Sequence, residues 1–116
     1  MSRPQIETYR FGRLVVDGRE YRQDVIILPE RVVSGWWRKH GHTLLPDDLE
    51  AVLEVHPDIL IVGQGAYGRM HVAAETRQVL QAADIALIAE STKQACQRYN
   101  ELRTQDCVAA ALHLTC

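Results

Sequence analysis

The residues best placed to do chemistry lie between positions 55 and 71. An apolar run, Ile59-Leu60-Ile61-Val62, leads into Gly63-Gln64-Gly65-Ala66-Tyr67-Gly68, a G-x-G-x-x-G spacing, and Glu90 follows the next apolar run. In a dinucleotide-binding unit such glycines let a pyrophosphate approach the backbone, and the later acid takes the ribose hydroxyls. That requires a helix starting inside the glycines, with its amide end on the phosphate. Here Arg69-Met70-His71-Val72 intervenes before any helical pattern, and the chain is too short for two mononucleotide halves. Three readings stay open: a dinucleotide site, a site for another small anion at exposed loop amides, or glycines that serve turn geometry and close backbone contact. For an anion pocket, Gly63, Gln64, Gly65 and Gly68 form the floor, with Trp37, Arg38 and His71 at the rim and Arg31, Lys39 and Arg69 as a basic lip.

The remaining reactive side chains make weaker patterns. His40-Gly41-His42 and His113-x-x-Cys116 are half-sites on paper, but zinc wants three or four ligands in fixed geometry, so the sequence is read as having no metal site and no cofactor. Of Cys96, Cys107 and Cys116, the first falls on an apolar helix face and reads as a core residue. The enzymatic alternative is a nucleophilic Cys116 with His113, or acid-base chemistry from His71; the family-independent reading favours a protein that is not an enzyme.

The bulk properties set limits. The 116 residues, 47% of them apolar, suit one domain spanning residues 1–116. With 13 basic and 15 acidic residues the formal net charge is -2, which argues against a nucleic-acid face built on phosphate neutralisation. An odd number of cysteines without C-x-x-C pairs suits a reducing compartment, and no apolar stretch suggests a leader or a membrane span, so the expected location is cytoplasmic.

These residues need elements to hold them. Phe11 to Val16, the turn signal Asp17-Gly18 and Tyr21 to Leu28 predict a two-stranded antiparallel hairpin. Adjacent Trp36 and Trp37 cannot both face one core layer, so one must sit at a rim, cleft or partner surface. A short helix follows Pro46, capped by Asp47 with Glu50 in a capping box, and ends at His56-Pro57. The run 59–62 predicts a central buried strand. A helix from Ala74 to Leu80, facing the sheet with Val79 and Leu80, and a second buried strand from Ile85 to Ala89 complete a βαβ unit. Ser91 reads as the N-cap of a helix burying Ala95, Cys96, Tyr99 and Leu102, and Cys107 to Leu114 as a last strand inserted into the sheet, with a helix as the less favoured alternative.

Five pieces in order carry a likeness: F11-G12-x-L14-x-V16-D17-G18; Y21-x-x-D24-V25-I26-I27-x-P29; W37-R38; L60-I61-V62-G63-x-G65; and Y99-N100-E101-L102 with A110-A111-L112-H113-x-T115-C116. Together they resemble the Mth938-domain family over nearly the whole chain. The resemblance implies a three-layer α/β domain, a central mixed sheet with helices against it and an extra N-terminal β-hairpin layer. It marks Gly63, Gly65, Trp37-Arg38 and His113-x-Thr115-Cys116 without giving them a chemical role. Relatives of unassigned reaction, an adipogenesis-associated protein and a mitochondrial complex I assembly factor imply protein partners as a theme. The function expected is therefore a non-enzymatic domain that binds a protein partner or a small anionic ligand, with self-association open and neither nucleic acid nor membrane as partner.

Overall fold

Alternation along the strands sorts the core into two layers, because successive side chains of a strand leave on opposite faces. In the computed structural model, which describes residues 3–116, ten strands form: β1 Ile6–Arg10, β2 Arg13–Val16, β3 Arg19–Tyr21, β4 Val25–Ile27, β5 Val32–Ser34, β6 Thr43–Leu44, β7 Ile59–Gly63, β8 His71–Val72, β9 Ala86–Glu90 and β10 Val108–Leu112. The helices are α1 Glu50–Val55, entered through a 3-10 turn at Pro46–Leu49, α2 Ala74–Ala82 and α3 Thr92–Leu102. The principal sheet has the order β5-β4-β10-β7-β9, with β10, β7 and β9 parallel and β4 and β5 antiparallel to their neighbours.

On one face Ile26, Leu60, Val62, Ala109 and Ala111 pack with Trp36, Leu49, Val52 and Leu80 from the α1 and α2 side. On the other, Val25, Ile27, Ile61, Ala110 and Leu112 pack with Ala95, Cys96 and Tyr99 of α3 and with Ile6, Leu14 and Val16 of the N-terminal strands. The molecule is thus a mixed central sheet between helical and helix-plus-β layers. Strand β10, buried along its whole length, is the central one, while β7 lies between it and the edge strand β9.

Several local expectations change. The N-terminal layer is a three-stranded meander, β1-β2-β3, rather than a two-stranded hairpin. Asp17 and Gly18 do make its turn, with φ of 49° and 80° as a type I′ turn requires. The stretch 21–28 is not one strand: it breaks at residues 22–24, where the chain leaves the small sheet and enters the large one as β4. The N-cap of the 3-10 turn is Leu45, not Asp47, and it is Asp48 at the third helical position whose carboxylate reaches back to accept the Leu45 amide at 2.9 Å, taking the Lys39 amide at 3.2 Å as well. Ser91 occupies the N-cap position of α3 but makes no side-chain cap bond. Val79 is partly exposed while Leu80 and Thr76 face inward, and β9 is half-exposed because no strand among the described residues pairs with its outer side.

Candidate functional site

The register gathers one set of residues at one end of the sheet. Strands β7, β9 and β10 finish there at Gly63, Glu90 and Leu112, and Val25 at the start of β4 pairs with both Leu112 and Ser34. Asp24, residues 35–38, the glycine loop and residues 113–116 therefore converge at the edge where open α/β sheets usually hold ligands.

The glycine loop is already occupied. Its amides at Gln64, Gly65, Ala66 and Gly68 donate to Glu90 O (2.8 Å), Thr92 Oγ1 (2.9 Å), Thr115 O (2.7 Å) and Gly65 O (3.2 Å), respectively. Only Tyr67 and Arg69, among the amides from 64 to 70, find no protein acceptor among the described residues. Gly65 sits at φ +98°, and a Cβ there would lie 2.9 Å from Thr115 O, 3.0 Å from His113 Cδ2 and 3.1 Å from Cys116 O. A Cβ on Gly63 would meet Thr92 Oγ1 at 2.9 Å. These glycines let the chain's own residues 113–116 and the start of α3 come close, which is the turn-and-contact reading of the spacing. The next helix in the chain, α2, begins at Ala74 after strand β8, and the helix start that does meet the loop, that of α3, is spent on it, the Thr92 amide donating to Gly65 O at 3.1 Å.

Beside it lies a buried charge cluster that the spacing did not reveal. Asp24 Oδ2 is 2.8 Å from Arg38 Nη1 and 2.7 Å from His113 Nδ1, and Asp24 Oδ1 accepts the Leu114 amide at 2.8 Å. Burial works against the Asp24 charge, but His113, the Leu114 amide and Arg38 outweigh it and hold its carboxyl below the usual range. An ionised Asp24 makes His113 Nδ1 the proton-bearing nitrogen. Arg38 Nη2, 3.1 Å from that same nitrogen, then turns its hydrogens to Gly41 O, also at 3.1 Å. His113 Nε2 is buried with no protein partner among the described residues. The guanidinium also lies 4.7 Å over the Trp36 ring. In charge terms, Arg38 and Asp24 neutralise each other, with the His113 ring held against the shared carboxylate oxygen.

Chemically, a carboxylate holding a histidine by Nδ1 is the orienting half of a catalytic triad. The nucleophilic half is not assembled: neither ring nitrogen of His113 has Cys116 as a partner. His42 comes edge-on to His113 at 6.0 Å between ring centroids, yet among the described residues no three His, Cys, Asp or Glu side chains gather as metal ligands. His71 is exposed on β8, where its amide bonds His42 O. Cys96 is buried in the core and its thiol is pushed up to about 12 by burial.

Arg38 does not rim a pocket; it is buried against Asp24, and Arg31 sits at the other end of the sheet beside Leu28, so the basic lip does not form. Trp36 goes into the core at 8% exposure, its indole N–H donating to Asp48 O, while Trp37 stands out at 88%. Phe11 and Tyr67, 57% and 70% exposed, meet at 6.4 Å, and the Arg69 guanidinium lies 5.8 Å over Tyr67. Phe11 reaches this end because the Gly12 amide bonds Leu114 O.

The family model for a protein of unknown function, DUF498/DUF598, matches residues 6–113. Among solved structures, the conserved hypothetical protein PH1505 from Pyrococcus horikoshii OT3 is similar at 31% identity, with 97% of this chain and 99% of that one covered and a TM-score of 0.83. MT938 is similar at 30% identity, with 97% and 99% covered and a TM-score of 0.80. A Bordetella pertussis protein described as a Mth938-like domain shares the fold at 20% identity, 96% and 85% coverage and a TM-score of 0.70. The chain belongs to the Mth938/DUF498 family, as the five sequence pieces indicated. No helix among the described residues is long and apolar enough to cross a membrane.

Proposed function

We propose that this chain is a non-enzymatic protein-interaction domain whose contact surface is the end of the sheet that carries Phe11, Tyr67, Arg69 and Trp37. The observation that supports this reading is the pairing of a filled loop with exposed anchors. Four loop amides are committed internally, while three large aromatic side chains at the same end of the sheet remain more than half exposed. Aromatic residues and arginine dominate binding energy at protein interfaces, because they bring large area at small ordering cost. The loop beneath them is anchored by Thr92, which accepts the Gly65 amide and donates to His113 O at 2.6 Å, so the anchors stand on a fixed base.

A photo-crosslinking residue in place of Tyr67 tests the reading in cells that make the protein. The expected result is one discrete protein adduct, absent when the crosslinker replaces Val79 on the α2 side and reduced at least tenfold by Phe11→Ser. Equal adducts from both positions, or none from position 67, would overturn the proposal. An adduct of small mass at position 67 would replace a protein partner with a small ligand.

A further inference from the structure

The two edges of the principal sheet are not alike. One edge, β5, is three residues long, and Arg31 and Gly35 flank it. The other, β9, runs for five residues as Ala86-Leu87-Ile88-Ala89-Glu90, with no proline, lysine or bulge to blunt it. Natural sheets normally protect such an edge, since its unpaired backbone groups form a template for another strand.

The bonding pattern tells which groups are free. Ala86 donates to Asp58 O, and Glu90 accepts from the Gln64 amide, so the even-numbered residues of β9 turn their backbone toward β7. Leu87 and Ala89 turn theirs outward and have no partner among the described residues.

We infer that β9 pairs antiparallel with β9 of a second copy of this chain about a two-fold axis through Ile88, joining the two five-stranded sheets into one. The strand is complementary to itself in that register. Leu87 of one copy lies opposite Ala89 of the other, and each such pair exchanges both backbone bonds, as a hydrogen-bonded antiparallel pair does. Ile88 meets its own symmetry mate in the closer, non-bonded pair between them. No residue on the axis is charged. At the strand end Glu90 is neutralised by Arg98 at 2.9 Å, and a net charge of -2 per copy gives little long-range repulsion. An isologous contact of this kind closes on itself as a dimer rather than growing into a fibre.

The register gives a test that a merely damaged fold cannot imitate. Sedimentation velocity over a concentration series should show the wild-type chain passing from monomer to dimer. Ile88→Lys and Ile88→Glu, which each set like charges face to face on the axis, should each weaken the dimer at least tenfold. An equimolar mixture of the two variants should recover most of the association, because the lysine of one copy then faces the glutamate of the other. Ala89→Pro, which removes an outward N–H, should keep its far-ultraviolet circular dichroism and stay monomeric. Tyr67→Ser should dimerise like wild type, which separates this edge from the aromatic end. The inference is overturned if the wild-type chain is monomeric at every concentration, if Ile88→Lys dimerises as well as wild type, or if the folded mixture associates no better than either variant alone.

Discussion

Replacing Asp24 with Asn removes one charge and leaves the shape almost unchanged, so it isolates what the buried carboxylate does. Asp24 serves three donors: Arg38 Nη1, His113 Nδ1 and the Leu114 amide, all within 2.7 to 2.8 Å. An asparagine has one acceptor oxygen and one donor nitrogen. If the oxygen faces Leu114, the amide NH2 confronts the guanidinium; if it faces Arg38, the Leu114 amide loses its acceptor. Neither orientation neutralises Arg38, whose side chain is only 5% exposed. Breaking a buried pair by removing one partner costs about 3–5 kcal/mol. Against a total stability of about 5–15 kcal/mol, that is a large share.

Urea denaturation followed by circular dichroism measures it. Arg38→Met keeps the apolar stem and removes the stranded charge, so the double variant should be destabilised by less than the sum of the singles, with a coupling of about 1–3 kcal/mol. The pH dependence supplies an independent sign. The folded Asp24 pKa is lowered, so its contribution is complete above the ordinary carboxylate value and is lost as pH falls through the lower folded value. Wild type and Asp24→Asn should therefore converge in stability in strong acid and separate toward neutrality. A cost below about 1 kcal/mol at neutral pH, strict additivity with Arg38→Met, or parallel acid profiles would refute the account of this cluster.

Glycine substitutions should rank by what their Cβ meets. Gly65→Ala combines φ +98° with three contacts at or below 3.1 Å and should cost about 2–5 kcal/mol in urea denaturation. Gly68→Ala has positive φ but open space and should cost about 1 kcal/mol, while Gly41→Ala should stay within about 0.5 kcal/mol; a different order would refute the close-approach reading of the loop. Alkaline stability follows from Cys96 and Tyr99, both pushed up to about 12 by burial. Because the folded state keeps these protons longer than the unfolded chain, stability is complete below the unfolded values near 9 and 10 and is lost as pH rises toward 12. Cys96→Ala should flatten part of that decline, and an unchanged alkaline profile would contradict it.

The parts of the fold legible in sequence were those set by local pattern. Asp17-Gly18 forced a tight turn, Cys107 to Leu114 read better as an inserted strand than as a helix and supplies β10 over Val108–Leu112, and Ala95, Cys96 and Tyr99 declared the inner face of α3. Two adjacent tryptophans implied one buried and one exposed, though not which. The charge cluster was illegible because Asp24 and His113 are 89 residues apart, and Asp24 lies in a stretch that reads as continuous strand. A cue did exist in retrospect: Arg22-Gln23-Asp24 puts three polar residues where a buried strand should be apolar. That break is where the chain changes sheets. The glycine spacing misdirected for a related reason, since a backbone can need close approach to a phosphate or to its own carbonyls, and spacing alone does not tell the two apart.

The same contacts explain why the aromatic end is exposed and yet ordered. Residues 113–116 pass over the glycine loop, taking the Ala66 amide on Thr115 O and the Gly12 amide on Leu114 O, while Asp24 fixes both the Leu114 amide and the His113 ring. One short segment thereby ties the N-terminal meander, the glycine loop and the Trp37 segment to a common point. Phe11, Tyr67 and Trp37 each project from one of those three pieces. If the buried carboxylate is the pin that holds them in register, then Asp24→Asn should alter crosslinking from position 67 even in conditions where the variant remains fully folded. An unchanged adduct yield would make the cluster a stability device alone, with the aromatic anchors positioned by their own loops.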